Sequence, residues 1–131
     1  MIKVITFGVF DLLHYGHINL FRRAKYFGDY LIVAVQDDES VVKNKPNTKL
    51  INNLVKRKQD VLNVEYVAKV VEYSQIDEDI KRIAFDVLVV GEDQTNLHFV
   101  SAIDWCKKNN KEVVFLSRTK GVSSTLLREK R

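Results

Sequence analysis

Cysteine and proline are almost missing from this 131-residue chain, which has one of each, Cys106 and Pro46. A single cysteine excludes an internal disulfide and a cysteine metal cluster. One proline and five glycines exclude a collagen-like repeat and a Pro/Gly-rich low-complexity chain. No stretch approaches the roughly 18 uncharged apolar residues that a membrane span needs. The opening Met1–Gly8 turns polar too soon for a signal peptide and reads as a first strand, so cytoplasm is the expected compartment. Excess of one charge sign is small too: 21 basic against 17 acidic residues give +4, mild for a nucleic-acid binder. The basic charge is uneven, however. Lys43, Lys45, Lys49, Lys56, Arg57 and Lys58 stand in residues 43–58 without an acid, and Arg118, Lys120, Arg128, Lys130 and Arg131 face Glu129 alone near the end. Two such segments could meet around one polyanion. The 43–58 run has no interleaved aromatics and no nucleic-acid module, so nucleic acid is not an expected partner.

What is present is ordinary globular composition, 46% hydrophobic and 29% charged, at the length of one domain, residues 1–131. Apolar runs of strand length recur: Ile2–Phe7, Tyr30–Val35, Tyr66–Val71, Asp86–Gly91 and Glu112–Leu116. Helical patterns lie between them, over Gly16–Phe27, 51–63, Ile76–Ala84 and His98–Asn109, with a last short helix from Ser123. Residues 37–50 are polar, hold Pro46 and read as a long loop. The alternation predicts a Rossmann-like, doubly wound α/β fold with a parallel sheet of about five strands in a single domain. Ligands of such sheets bind at the carboxyl ends of the strands, which singles out residues 8–17, 36–45, 91–96 and 117–125.

The first of these segments reads Gly8-Val9-Phe10-Asp11-Leu12-Leu13-His14-Tyr15-Gly16-His17. It places two histidines three apart at a helix start. A helix N-terminus offers free N–H groups and positive potential to an anion. Imidazoles there can hold a phosphate whose charge grows in a transition state. A metal site is not expected, because the only other histidine is His98 and no cysteine lies nearby. Ser123 at a helix start offers either a plain N-cap or oriented donors for an anion. Trp105 and Cys106 fit a buried helix face better than a site.

Residues 6–17 resemble the signature of the His-x-Gly-His nucleotidyltransferase superfamily, and within it most nearly the glycerol-3-phosphate cytidylyltransferases. Arg118-Thr119-Lys120-Gly121-Val122-Ser123-Ser124-Thr125 resembles that family's second landmark. The resemblance implies transfer of CMP from CTP to a small phosphorylated alcohol, such as glycerol 3-phosphate, for cell-surface polymer synthesis. It implies His14, His17, Lys43 and Arg118 as catalytic groups. It implies nucleotide contacts from Thr6, Phe7, Gly8, Phe10, Asp11, Gly16, Gly91, Asp93, Thr119, Ser123, Ser124 and Thr125, those of Thr6–Asp11 largely through backbone N–H groups. Asp38, Lys45 and Arg57 are implied on the acceptor side, although a surface helix charge reads almost as well for Arg57. Mg²⁺ is implied as a cofactor held mainly by the triphosphate, with no protein metal site, and a homodimer is implied as the assembly.

The acceptor side departs from the family pattern. Glu65 stands where the family has arginine, Ile76 where it has tryptophan, and Gln94 where a second tryptophan is usual. A glutamate for an arginine removes an anion contact and adds repulsion. Phosphoethanolamine-like or sugar-phosphate acceptors therefore stay open, as does an adenylyltransferase of the same superfamily. A non-enzymatic nucleotide-binding module is disfavoured, because the five glycines form no phosphate-loop cluster.

Overall fold

The computed structural model describes residues 1–91 and 96–117. Five strands are formed: β1 (Lys3–Gly8), β2 (Tyr30–Gln36), β3 (Lys69–Tyr73), β4 (Val87–Gly91) and β5 (Glu112–Leu116). They pair in the order β3-β2-β1-β4-β5, every pair parallel. Helices α1 (Tyr15–Lys25), α2 (Asp38–Asn44), α3 (Leu54–Leu62), α4 (Ile76–Asp79) and α5 (Leu97–Lys108) make the connections. This is the doubly wound fold expected from the apolar runs. The strand order reverses between β1 and β4, so the crevice beyond Gly8 and Gly91 is the position at which such sheets take ligands.

Both sheet faces are covered, which is why the central strands read as continuous apolar runs. Alternation along each strand divides the core. Ile5, Phe7, Ile32, Ala34, Leu88 and Val90 pack with Ile76, Phe99, Ala102 and Cys106 of α4 and α5. Val4, Val33, Val35, Val87 and Val89 pack with Phe21, Ala24 and Val61 of α1 and α3. Cys106 is fully buried, and burial pushes its thiol up to about 11, as befits a core residue. Among the described residues no helix is long and apolar enough to cross a membrane.

Three expectations are corrected. The polar stretch after β2 is not all loop, because it contains α2. Asp37 caps that helix by accepting from Ser40 N at 2.7 Å, Asp38 and Glu39 suit its first turn, and Val41 is buried. It stops at Asn44, since Lys45 precedes Pro46 and takes an extended-side conformation (φ −135°, ψ 81°). The third strand starts three residues later than its apolar run. Residues 64–67 form a turn closed by Val67 N to Val64 O, and Ala68 N reaches Leu31 O just before pairing begins. The helix expected over Ile76–Ala84 is a single α-turn continued by a 3₁₀ turn, Ile80–Arg82, before Ile83 turns extended.

Candidate active site at the carboxyl edge

The chain leaves β1 through a tight, strained turn. Phe10 and Leu12 have φ of 53° and 51°, a left-handed conformation that costs a bulky residue on the order of 1–3 kcal/mol. The turn folds the Phe10 ring back over Gly8, where an added Cβ would lie 2.7 Å from Phe10 Cζ. Glycine is therefore required at position 8 for the ring to close down. The same ring meets His17 and Phe21 edge-on, with centroids 5.4 and 5.1 Å away. Core packing thus extends to the start of α1 and fixes one face of His17.

His14 and His17 cap α1 reciprocally. Gly16 N donates to His14 Nδ1 at 3.0 Å, and His14 N donates to His17 Nδ1 at 3.3 Å. The rings stack with centroids 3.8 Å apart. Each Nδ1 accepts, so each neutral ring carries its proton on Nε2. Burial lowers both affinities for a second proton. It is the main cause for His17, which the neighbouring His14 depresses further while Asp11 opposes, leaving it pushed down to about 3. Both rings are neutral N–H donors at pH 7. Among the described residues, buried His14 Nε2 has no hydrogen-bond partner, and the same holds for Thr6 Oγ1 at the end of β1. A buried donor without an acceptor costs about 1–3 kcal/mol, which an arriving oxyanion would relieve.

Behind the histidines lies a buried polar lock. Asp11, 2% exposed, accepts from Ile51 N at 2.8 Å and Asn52 N at 3.0 Å. Arg57, fully buried, donates to the carbonyls of Asn52 (3.2 Å), Val9 (2.9 Å) and Gln36 (2.8 Å) and pairs with Asp38. Four of its five N–H groups are thereby engaged. This corrects both expectations for Arg57. The guanidinium is neither a surface charge nor turned toward an acceptor; it ties the exits of β1 and β2 to the 51–57 segment and α2.

Residues 5–130 match the family model described as cytidylyltransferase-like. The chain belongs to the cytidylyltransferase-like family. It is 39% identical to the glycerol-3-phosphate cytidylyltransferase of Staphylococcus aureus (strain NCTC 8325), over 98% of this chain and 94% of that protein. It is 40% identical to the Bacillus subtilis (strain 168) protein of the same name, over 98% and 96%. A solved structure, the lipopolysaccharide core biosynthesis protein of Thermoplasma volcanium, superposes with a TM-score of 0.76 at 24% identity, covering 93% of this chain and 99% of that one. That likeness concerns the fold.

On this cytidylyltransferase-like scaffold the structure gathers part of the expected set. Thr6, Gly8, Phe10, Asp11, His14, Gly16 and His17 share the β1–α1 exit, and Gly91 ends β4 across the switch point. The Phe7 side chain is buried against Tyr73, ring to ring at 4.9 Å, and belongs to the core. Lys43 lies in the last turn of α2 and Lys45 is its C-cap, both exposed. Asp38 opens α2 and accepts from Leu54 N at 3.2 Å besides holding Arg57. Asp93, Arg118, Thr119, Ser123, Ser124 and Thr125 lie outside the described residues. Sequence reasoning missed one polar pair at this edge, Asp77 and His98. They are 21 residues apart, on α4 and α5, and no spacing rule joins them.

Proposed function

We propose that this chain transfers CMP from CTP to glycerol 3-phosphate and releases pyrophosphate. An oxygen of the acceptor phosphate attacks the α-phosphorus in line as the bond to the β-phosphate breaks. The acceptor is already anionic, so no protein nucleophile is needed and catalysis consists of positioning and charge stabilisation. The observation that carries this reading is the stacked His14–His17 pair. Two neutral imidazoles stand at a helix N-terminus with Nδ1 engaged and Nε2–H left to donate. Such fixed donors serve the charge that develops on the transferring phosphate and need no reorganisation. Lys43 and Arg118 are proposed to add charge around the triphosphate. Asp93, Thr119 and residues 123–125 are proposed to complete the nucleotide site, and Asp38 and Lys45 the acceptor side.

Mg²⁺ is proposed to enter with CTP. Asp11, the carboxylate beside His17, is buried and already accepts from Ile51 and Asn52, so phosphate oxygens and water would supply most of its ligands. Identity of about 40% to the named glycerol-3-phosphate cytidylyltransferases, over nearly their full length, favours CTP and this acceptor. A second acceptor is favoured by Ile76, which is 2% exposed in the core and offers nothing to a ligand. The deciding experiment is pyrophosphate release with Mg²⁺ across four nucleoside triphosphates and a panel of phosphorylated alcohols. CTP with glycerol 3-phosphate is the expected best pair. Preference for ATP would move the chain to adenylyl transfer, and silence with every pair would overturn the proposal. The same reading carries a cytoplasmic homodimer that supplies surface-polymer synthesis, tested for assembly by sedimentation.

A further inference from the structure

The carboxyl edge holds a third histidine that the reaction above leaves unused. His98 is the second residue of α5, and Asp77 the second of α4. His98 Nδ1 lies 3.1 Å from both Asp77 carboxylate oxygens. An ionised carboxylate only accepts, so Nδ1 is the donor and the neutral ring keeps its lone pair on Nε2. The imidazole is 45% exposed. Helix α4 follows the end of β3 and α5 follows the end of β4, so both helices begin at the ligand-binding edge. They pack on the sheet face opposite α1. His98 and the His14–His17 pair therefore stand on the two sides of the same switch-point crevice.

The pair is braced from behind. Asp79 accepts from Ser74 N at 2.7 Å and Gln75 N at 3.2 Å. Gln36 Nε2 donates to Ser74 O at 2.7 Å, and the side-chain amides of Asn44 and Gln75 exchange hydrogen bonds of 3.2 and 2.9 Å. Helix α2, which carries Lys43, is thus linked through residues 74–75 to α4, and Asp77 carries the link to α5. A hydrogen-bonded pair this exposed contributes little to stability. What the pair offers is aim: a lone pair held in place at an edge where the Nε2–H groups of His14 and His17 and the lysines are donors. Donors suit phosphates. The hydroxyls of a polyol phosphate need an acceptor as well.

We propose that His98, oriented by Asp77, is the specificity-determining residue for the tail of the acceptor, Nε2 accepting a hydrogen bond from one of its hydroxyls. This rests on the transfer reading and names the part of the acceptor that the chain distinguishes. The test is steady-state transfer from CTP to glycerol 3-phosphate and to propyl phosphate, which lacks the hydroxyls. The proteins are the parent, His98→Ala, His98→Gln and Asp77→Asn, each checked by a thermal melt. His98→Ala is expected to raise the KM for glycerol 3-phosphate about tenfold, the worth of one hydrogen bond to substrate. The KM for CTP stays within twofold, and the preference over propyl phosphate flattens. His98→Gln, with an amide oxygen near the reach of Nε2, recovers part of the loss, and Asp77→Asn shows a smaller rise. A His98→Ala protein with an unchanged KM for glycerol 3-phosphate, or with equal rises for CTP and acceptor, overturns the inference. A parent protein that uses both acceptors equally well does the same while leaving the transfer reading intact. A parent that transfers CMP to neither overturns the transfer reading and this inference together.

Discussion

His14 and His17 meet backbone N–H groups through Nδ1, whereas His98 meets a carboxylate through the same atom. The difference comes from place in the helix. His14 is the N-cap and His17 the third residue of α1, so their ring nitrogens satisfy donors that the first turn leaves open. His98 lies one residue inside α5, whose cap is taken by Asn96 accepting from Phe99 N at 3.1 Å, and it turns sideways to a neighbouring helix. One residue type thereby presents proton donors on the α1 side of the crevice and a lone pair on the α5 side. The first suits a polyphosphate and the second a hydroxyl. The two sides also differ in burial. Phe10 and the stacked partner ring enclose His17, while His98 faces solvent.

The comparison breaks most sharply at His17. His17→Ala removes a donor used in the transition state, so kcat is expected to fall by roughly 10²–10³-fold or more. The protein stays folded, at a cost of about 1 kcal/mol for the lost cap. Activity above a tenth of the parent, with a normal melt, would show that the α1 side does not stabilise charge as argued.

Arg57 ties the exits of β1 and β2 to α2, and its removal tests how far both substrates depend on that support. Arg57→Ala leaves the Val9, Gln36 and Asn52 carbonyls without their donor and Asp38 without its cation. A loss of about 3 kcal/mol is expected in urea unfolding, a large part of the 5–15 kcal/mol that holds a domain together. KM values for both substrates should rise together in the surviving fold. A rise confined to the acceptor would restore the direct contact that the buried guanidinium argues against.

Much of this was legible in the sequence, for identifiable reasons. Runs such as Tyr30–Val35 are apolar on both faces, and that pattern has few homes besides a covered parallel strand. The His14–His17 spacing is local, and the capping geometry follows from it. Helix α2 was hidden because only Val41 of it is buried, so no apolar stripe marks it. The signal present was the Asp37 cap followed by two acids, which also reads as a polar loop. Burial of Arg57 was invisible because its acceptors come from Val9, Gln36 and Asn52, carbonyls that no side-chain pattern announces. The strand β3 slipped because its apolar run begins inside the turn that returns from α3.

Acid separates the two sides by pH. The folded-state value of His17, about 3, lies below the ordinary histidine value of 6.5, so the unfolded chain takes up the proton first. Stability from this group is complete above pH 6.5 and declines as pH falls toward 3, by about 1–2 kcal/mol at pH 5. His17→Gln should flatten this slope, as urea midpoints from pH 7 to 5 would show. An unchanged slope in that variant would mean that His17 is not held neutral by its burial.

Asp37 gives the smallest effect and the finest test. Burial alone would raise its carboxyl. Hydrogen bonds from Ser74 Oγ and Ser40, with the charge of Arg57, outweigh that and hold it below the usual carboxylate range. Its stabilising contribution is present above 3.8 and is lost only as pH falls through the lower folded value, so it should not move the slope between pH 7 and 5. Asp37→Ala is expected to cost about 1 kcal/mol at pH 7, the worth of a helix N-cap, and Asp37→Asn much less because the amide oxygen still accepts from Ser40 N. Asp37 also holds Ser74, beside the brace of the His98–Asp77 pair, so the alanine variant should weaken acceptor binding and leave the KM for CTP unchanged. A change in CTP binding instead would show that Asp37 acts through Lys43 of α2 and not through the His98–Asp77 pair.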